Sequence, residues 1–244
     1  MKTLVLFDVD GTLTKSRLKI ENPMILCLDK LKKVENLEIG IVGGSNLNKQ
    51  EEQLGEEIIS KFKWVFSENG LVAFEDGKQF HSNSILDTLG ESKCQKLINT
   101  IFEYMSRLEI PKKRGNFIEF RTGMINCSPV GRSCNQEERM EFYEYDLKNN
   151  VRSKMSEYLS EKLEDFNLSY SLGGQISIDI FPKGWDKTYC LQFVRDKYDK
   201  ILFYGDKTAK GGNDYEIYNS DETESYTVIS PEHTIELLTK RFNL

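Results

Sequence analysis

The chain has 244 residues, of which 39% are hydrophobic beside 17 glycines, a globular composition long enough for two modest domains and unlike that of a disordered segment. Its 39 acidic and 33 basic residues leave a net charge of −6, which excludes the broad basic field that a general nucleic-acid binder needs. An anionic small-molecule substrate stays open, because a few local arginines suffice to hold one.

Three short apolar runs each end at polar or glycine-rich residues: Thr3–Phe7 before Asp8, Leu37–Val42 before Gly43-Gly44-Ser45, and Ile201–Tyr204 before Gly205-Asp206. Runs that are apolar on both pleat faces predict central strands of a parallel sheet. Helical spacing follows, with Ile25, Leu28 and Leu31 on one face and Leu54, Ile58 and Phe62 on another. Strand, polar turn and helix in repetition predict an α/β fold with a doubly wound, mostly parallel sheet. Ligands of such sheets bind beyond the carboxyl ends of the strands.

The middle of the chain differs. Ile98, Ile101, Met105 and Leu108 predict an amphipathic helix, and Asn116–Arg121 with Met124–Pro129 predict paired short strands around Thr122-Gly123. The charged stretch Gln136–Phe166 is helical in pattern, with Met155, Leu159 and Leu163 on one face and a break near Asn149-Asn150. Ser169–Leu172 and Ile176–Phe181 bracket Gly173-Gly174 as a hairpin. The expectation is a catalytic core over 1–83 and 184–244, interrupted over 84–183 by an inserted α+β domain with an antiparallel sheet. Five widely spaced cysteines without a Cys-x-x-Cys pair indicate reduced thiols. Asp8 and Asp10 arrive before an apolar region of leader length, and no stretch approaches the roughly 18 apolar residues of a membrane helix. A cytoplasmic protein without nucleic-acid or membrane partners is expected.

Asp8-Val9-Asp10-Gly11-Thr12 is the strongest chemical signal. Residues two apart on extended backbone point the same way, so the carboxylates of Asp8 and Asp10 are expected to meet at the end of the first strand. Clustered carboxylates need a cation, and Mg²⁺ with its oxygen ligands suits them. A metal-neutralised Asp8 can attack phosphorus and form an acyl phosphate, while Asp10 exchanges a proton with the incoming or leaving oxygen. Ser45, after the second strand, can hold a phosphate together with backbone N–H groups. Lys187, in Gly184-Trp185-Asp186-Lys187, opens a helix and can balance that charge, and Asp206 and Asp214 add metal carboxylates. Each alone is more readily read as a helix cap or a solvated charge. Four together, all at strand ends or helix starts, point to phosphoryl chemistry.

The set Asp8/Asp10, Ser45, Lys187 and Asp206/Asp214 resembles the haloacid-dehalogenase superfamily of phosphotransferases, in the branch whose cap is inserted after the third strand. Val42–Ser45, Phe66–Leu71, Cys127–Arg132, Gly184–Leu191 and Gly205–Ile217 are similar to the eukaryotic phosphomannomutase family, and they span nearly the whole chain. The resemblance implies interconversion of mannose 6-phosphate and mannose 1-phosphate through an aspartyl-phosphate and a hexose 1,6-bisphosphate, which also serves as activator. It implies Mg²⁺ on Asp8, Asp206, Asp214 and the backbone carbonyl of Asp10, a product feeding GDP-mannose synthesis, and a homodimer formed by the cap. It implies phosphate-binding arginines at Arg17, Arg121, Arg132 and Arg139 and sugar contacts at Ser177 and Asp179. A secondary cation site matches Tyr218, Ser220 and Thr223, with Ser220 where the family has an acidic ligand; Asn46 stands where the family often has aspartate.

Two observations on the residues agree with these implications. Ser177 and Asp179 alternate on a predicted strand and face one side, opposite Ile176, Ile178 and Ile180. An arginine's planar fork binds phosphate bidentately and stays charged, as a second, non-reacting phosphate requires. The chief rival is a Mg²⁺-dependent sugar-phosphate phosphatase on the same fold, in which water takes the phosphoryl group; such an enzyme has no second phosphate to grip. A catalytically silent binding protein is the other, and the intact carboxylate set argues against it. Mannose and glucose, which differ by one hydroxyl direction, both stay open as the sugar.

Overall fold

The computed structural model describes residues 1–244, with the side chain of Ile58 excepted. In chain order the first elements are β1 (Thr3–Phe7), α1 (Asn22–Leu31), β2 (Leu37–Val42), α2 (Leu47–Leu54), α3 (Glu56–Ile59), β3 (Trp64–Ser67), β4 (Val72–Glu75) and β5 (Lys78–Ser82). Next come α4 (Ile85–Leu89), α5 (Glu91–Arg107), β6 (Ile118–Phe120), β7 (Ile125–Cys127), α6 (Gln136–Asn149), α7 (Val151–Lys162), β8 (Leu168–Gly173) and β9 (Ser177–Pro182). The chain ends with β10 (Lys200–Gly205), α8 (Tyr215–Tyr218), β11 (Glu224–Thr227) and α9 (Pro231–Phe242). It divides into two compact units, Met1–Ser82 with Trp185–Leu244, and the inserted Asn83–Gly184. Among the described residues no helix is long and apolar enough to cross a membrane.

The first unit carries a seven-stranded sheet in the order β11-β10-β1-β2-β3-β4-β5, parallel from β11 to β3 and antiparallel through β4 and β5. β1 is central and buries both faces: Val5 and Phe7 join the layer with α1 and α9, while Leu4 and Leu6 join the layer with Cys190, Leu191 and Val194. This double burial makes the strand apolar from Leu4 to Phe7 and leaves Asp8 as the first polar residue beyond its carboxyl end. The β3–β5 hairpin escapes the apolar-run criterion because β5 is polar and largely exposed, as suits an edge strand.

Helix patterning is displaced in two places. The buried face of α1 is Met24, Cys27, Leu28 and Leu31, with Ile25 at its margin. The buried face of α5 is Cys94, Leu97, Ile101 and Met105, and Leu108 lies past the helix end in extended backbone. The expected Leu54–Ile58–Phe62 face does not belong to one helix, because Gly55 ends α2 at φ +80° and α3 is a single turn; Leu54 and Phe62 are buried nonetheless, and the side chain of Ile58 lies outside the described residues.

In the inserted unit a four-stranded antiparallel sheet runs in the order β6-β7-β9-β8. The break near Asn149-Asn150 is Asn150 in the left-handed conformation, which ends α6 and starts α7. Helix α6 begins with a capping box between Asn135 and Glu138. All five cysteines carry free thiols.

Candidate active site

The turns that follow the parallel strands supply the first group of side chains. Asp8 N–H continues the ladder onto the Tyr204 carbonyl at 2.9 Å, so the Asp8 backbone is still fixed by the sheet. The next residues curl at once: Leu13 and Thr14 both donate to the Val9 carbonyl, at 3.0 and 3.1 Å. Gly11 sits in that curl at φ +80°, and a Cβ there would lie 2.4 Å from Asp206 Oδ2, so the Asp206 carboxylate packs where only glycine leaves room.

Lys187 is completely buried and donates from Nζ to Asp8 Oδ1 and, at 2.5 Å, to Asp214 Oδ1. Asp214 Oδ2 accepts from the Lys207 N–H at 2.9 Å. Burial pushes the Asp8 carboxyl up to about 7 against the pull of Lys187, with Asp214 and Asp206 adding repulsion. Burial also works against the Lys187 ammonium, but Asp214 and Asp8 outweigh it and hold the amine above its ordinary range. Lys187 opens a 3-10 segment, Lys187–Phe193, rather than an α-helix, and Asp186 caps it.

Asp8, Asp206 and Asp214 each bring an oxygen within 4.8 Å of the others. Asp206 Oδ1 is buried without a hydrogen-bond partner, and burial followed by Asp214 repulsion raises its carboxyl. Hard oxygen donors with one acceptor left unsatisfied fit a Mg²⁺ ion. The Asp10 carboxylate is not one of this group of three. Its Oδ1 accepts from the Arg17 N–H at 2.8 Å and from Gln53 Nε2 at 2.7 Å, because the chain curls at Gly11 instead of staying extended.

Ser45 lies half-buried in the turn between β2 and α2, its carbonyl accepting from the Glu68 N–H at 3.0 Å. Asn46, not Ser45, caps α2, accepting from the Lys49 N–H at 3.2 Å; an aspartate would accept equally, so the change from the family pattern costs nothing visible. Arg17 is exposed at φ +63°. Tyr218 ends α8, and the Thr223 hydroxyl donates to the Ile217 carbonyl at 2.7 Å, closing the loop around Ser220.

The second group belongs to the inserted unit. Across its sheet Glu119, Asn126, Asp179 and Ser171 stand directly opposite one another on β6, β7, β9 and β8. Alternation then puts Ile125, Cys127, Ile178 and Ile180 on the buried face, so the polar row occupies the other. Asn126 Nδ2 donates to Asp179 Oδ1 at 2.5 Å, and its Oδ1 accepts from Arg132 Nη1 at 2.7 Å. Glu119 Oε2 accepts from Arg121 Nε at 2.8 Å and from its Nη2, and lies 3.4 Å from Arg132 Nε. Burial raises the Asp179 carboxyl, with the Asn126 hydrogen bond and the two arginines opposing it. Gly131 places Arg132: at φ +89° its missing Cβ would otherwise lie 2.2 Å from the Gly115 carbonyl oxygen.

Arg139 is buried on α6, and Ser177 is buried on β9. Arg152 pairs with Asp146 at 2.7 Å and donates to the carbonyls of Gly174 and Ser177 at 3.0 and 3.2 Å, tying the hairpin to the α6–α7 junction. Sequence reasoning missed Glu119, Asn126, Arg152 and Gln53. The polar Asn126 between Ile125 and Cys127 carried the same alternation signal as Ser177 and Asp179. Gln53 carried none, since its partner Asp10 is 43 residues away.

Residues 24–244 match the model of the family described as eukaryotic phosphomannomutase. A phosphomannomutase of Schizosaccharomyces pombe is 53% identical over 100% of this chain and 95% of its own length. Among solved structures, the IMP-bound IMP-nucleotidase of Plasmodium falciparum aligns with a TM-score of 0.66 at 15% identity, over 100% of this chain and 68% of that one. A haloacid dehalogenase-like hydrolase of Bacteroides thetaiotaomicron aligns at 0.60 and 12%, over 99% and 100%. At such identities the structures establish a shared fold, that of haloacid-dehalogenase enzymes. The family match over 24–244 and the identity over the full chain go further: the chain belongs to the eukaryotic phosphomannomutase family.

Proposed function

We propose that the chain, a phosphomannomutase by family, interconverts mannose 6-phosphate and mannose 1-phosphate by passing a phosphoryl group through Asp8. The observation that carries this is the buried triad of Asp8, Lys187 and Asp214 with Asp206 beside it, at the carboxyl edge of a parallel sheet. Lys187 fixes one Asp8 oxygen and keeps the carboxylate oriented. Mg²⁺ on Asp8, Asp206, Asp214 and the Asp10 carbonyl would neutralise the carboxylates as a phosphate approaches.

Asp8 then attacks phosphorus of a hexose 1,6-bisphosphate, forming its acyl phosphate as the phosphorus–sugar oxygen bond breaks. Asp10 gives the leaving sugar oxygen its proton, and takes one back when the turned sugar monophosphate attacks the acyl phosphate. Arg17 in the core unit and Arg121, Arg132 and Arg139 in the inserted unit hold the phosphate that is not transferred. Ser45 contacts the transferred one, and Ser177 and Asp179 contact sugar hydroxyls. Tyr218 and Thr223 are assigned to a secondary cation site, and the hexose bisphosphate to the role of activator. A cytoplasmic homodimer formed through the inserted unit, supplying GDP-mannose synthesis, completes the proposal on family likeness.

The test is incubation with Mg²⁺, mannose 1-phosphate and glucose 1,6-bisphosphate. Mannose 6-phosphate should accumulate with little free phosphate, and a chelator should stop it. Free phosphate without mannose 6-phosphate would favour the phosphatase and overturn the proposal.

A further inference from the structure

Two guanidinium groups on one sheet face repel each other, yet Arg121 and Arg132 converge on a single acceptor, Glu119 Oε2. With Asp179 reaching Arg132 through Asn126, the network counts two cations and two carboxylates, so the arginines already have counterions. The two carboxylates differ in how they are held. Asp179 is screened by burial and by Asn126, whereas the Glu119 side chain is 41% exposed and can turn into water. A phosphate offers the same bidentate oxygens to a guanidinium as a carboxylate does.

We propose that Glu119 is a positioning residue that holds Arg121 and Arg132 together and competes with an incoming phosphate for them, so that the phosphate is gripped loosely enough to be released. This rests on the reading of both arginines as a phosphate grip. A mutase must release its bisphosphate and take it up reversed, and a grip without a competing carboxylate would slow that turn. Removing the Glu119 charge therefore tightens anion binding, which is the opposite of what loss of an ordinary structural contact does.

The experiment compares the native chain with Glu119→Gln and with Glu119→Gln/Arg132→Ala, using inorganic sulfate as an inert phosphate analogue in calorimetry at fixed ionic strength. A competing, half-exposed ion pair of this kind should shift affinity about two- to five-fold. Glu119→Gln should bind sulfate tighter by that factor, and the gain should vanish in the double variant. In the mutase assay both the KM for mannose 1-phosphate and kcat should fall. Equal or weaker sulfate binding in Glu119→Gln at an unchanged melting temperature, or a raised KM, would overturn the gate. If the native chain forms no mannose 6-phosphate, the functional proposal fails, while the sulfate measurement still decides on Glu119.

Discussion

At the carboxyl edge of the large sheet the side chains of Lys187 and Asp214 have no exposed surface and Asp8 has 6%, whereas on the small sheet Arg121, Arg132 and Glu119 are exposed by 16, 25 and 41%. The first cluster lies where charge interactions are strong and every partner is fixed by strand ends and a glycine-tight turn. The second is buried at Asn126 and half-buried at Asp179 but partly exposed at Arg132 and Glu119, where water screens the ion pair in part and a side chain can move at lower cost. Under the proposed function, this contrast would divide the labour between the two clusters. Chemistry needs groups that do not reorganise at the moment of reaction, and a grip that must open needs groups that do.

The sharpest way to break this division is Asp8→Asn. The amide keeps size and polarity but cannot form the acyl phosphate, so turnover should fall on the order of 10³-fold or more. Steady-state assays beside circular dichroism would check it. Substantial mutase activity in a folded variant would remove the buried cluster from the chemistry.

Next in size is Lys187→Met. The methionine fills the space but leaves Asp8 and Asp214 buried without their cation, a loss of about 3–5 kcal/mol for a broken buried pair. The urea midpoint should drop, and Mg²⁺ should restore part of it by supplying the missing charge. A midpoint equal to the native one in chelator would mean that Lys187 does not balance the carboxylates.

The same contrast explains what the sequence made legible. Asp8, Asp206 and Asp214 were found because each follows an apolar run or a glycine cluster that the buried sheet itself dictates. The position of the Asp10 carboxylate was not, since it depends on the curl at Gly11 and on Gln53, which only the folded chain brings near. On the inserted sheet, alternation showed the side on which Ser177 and Asp179 lie. The hairpin turn at Thr122-Gly123 already sets Glu119 opposite Asn126, but the register that brings Asn126 opposite Asp179 pairs strands 53 residues apart, and local pattern does not encode it. The β3–β5 edge stayed hidden because a polar edge strand looks like a loop.

The smallest effect sharpens the comparison from the open side. Arg132 makes charge-assisted contacts to a phosphate only if the inserted sheet binds one, and loss of such a contact costs about 1.5–3 kcal/mol, or roughly ten- to a hundred-fold in affinity. Arg132→Ala removes a side chain that is already a quarter exposed and shares its Glu119 partner with Arg121, so the fold should survive. Mannose 6-phosphate formation should then fall by that factor, while hydrolysis of p-nitrophenyl phosphate, a small ester with one phosphate, should fall much less. If both activities fall in parallel, Arg132 supports the buried cluster and the division between fixed chemistry and adjustable grip is wrong. If neither falls, Arg132 is a solvated charge, and the polar row of the small sheet has a structural task alone.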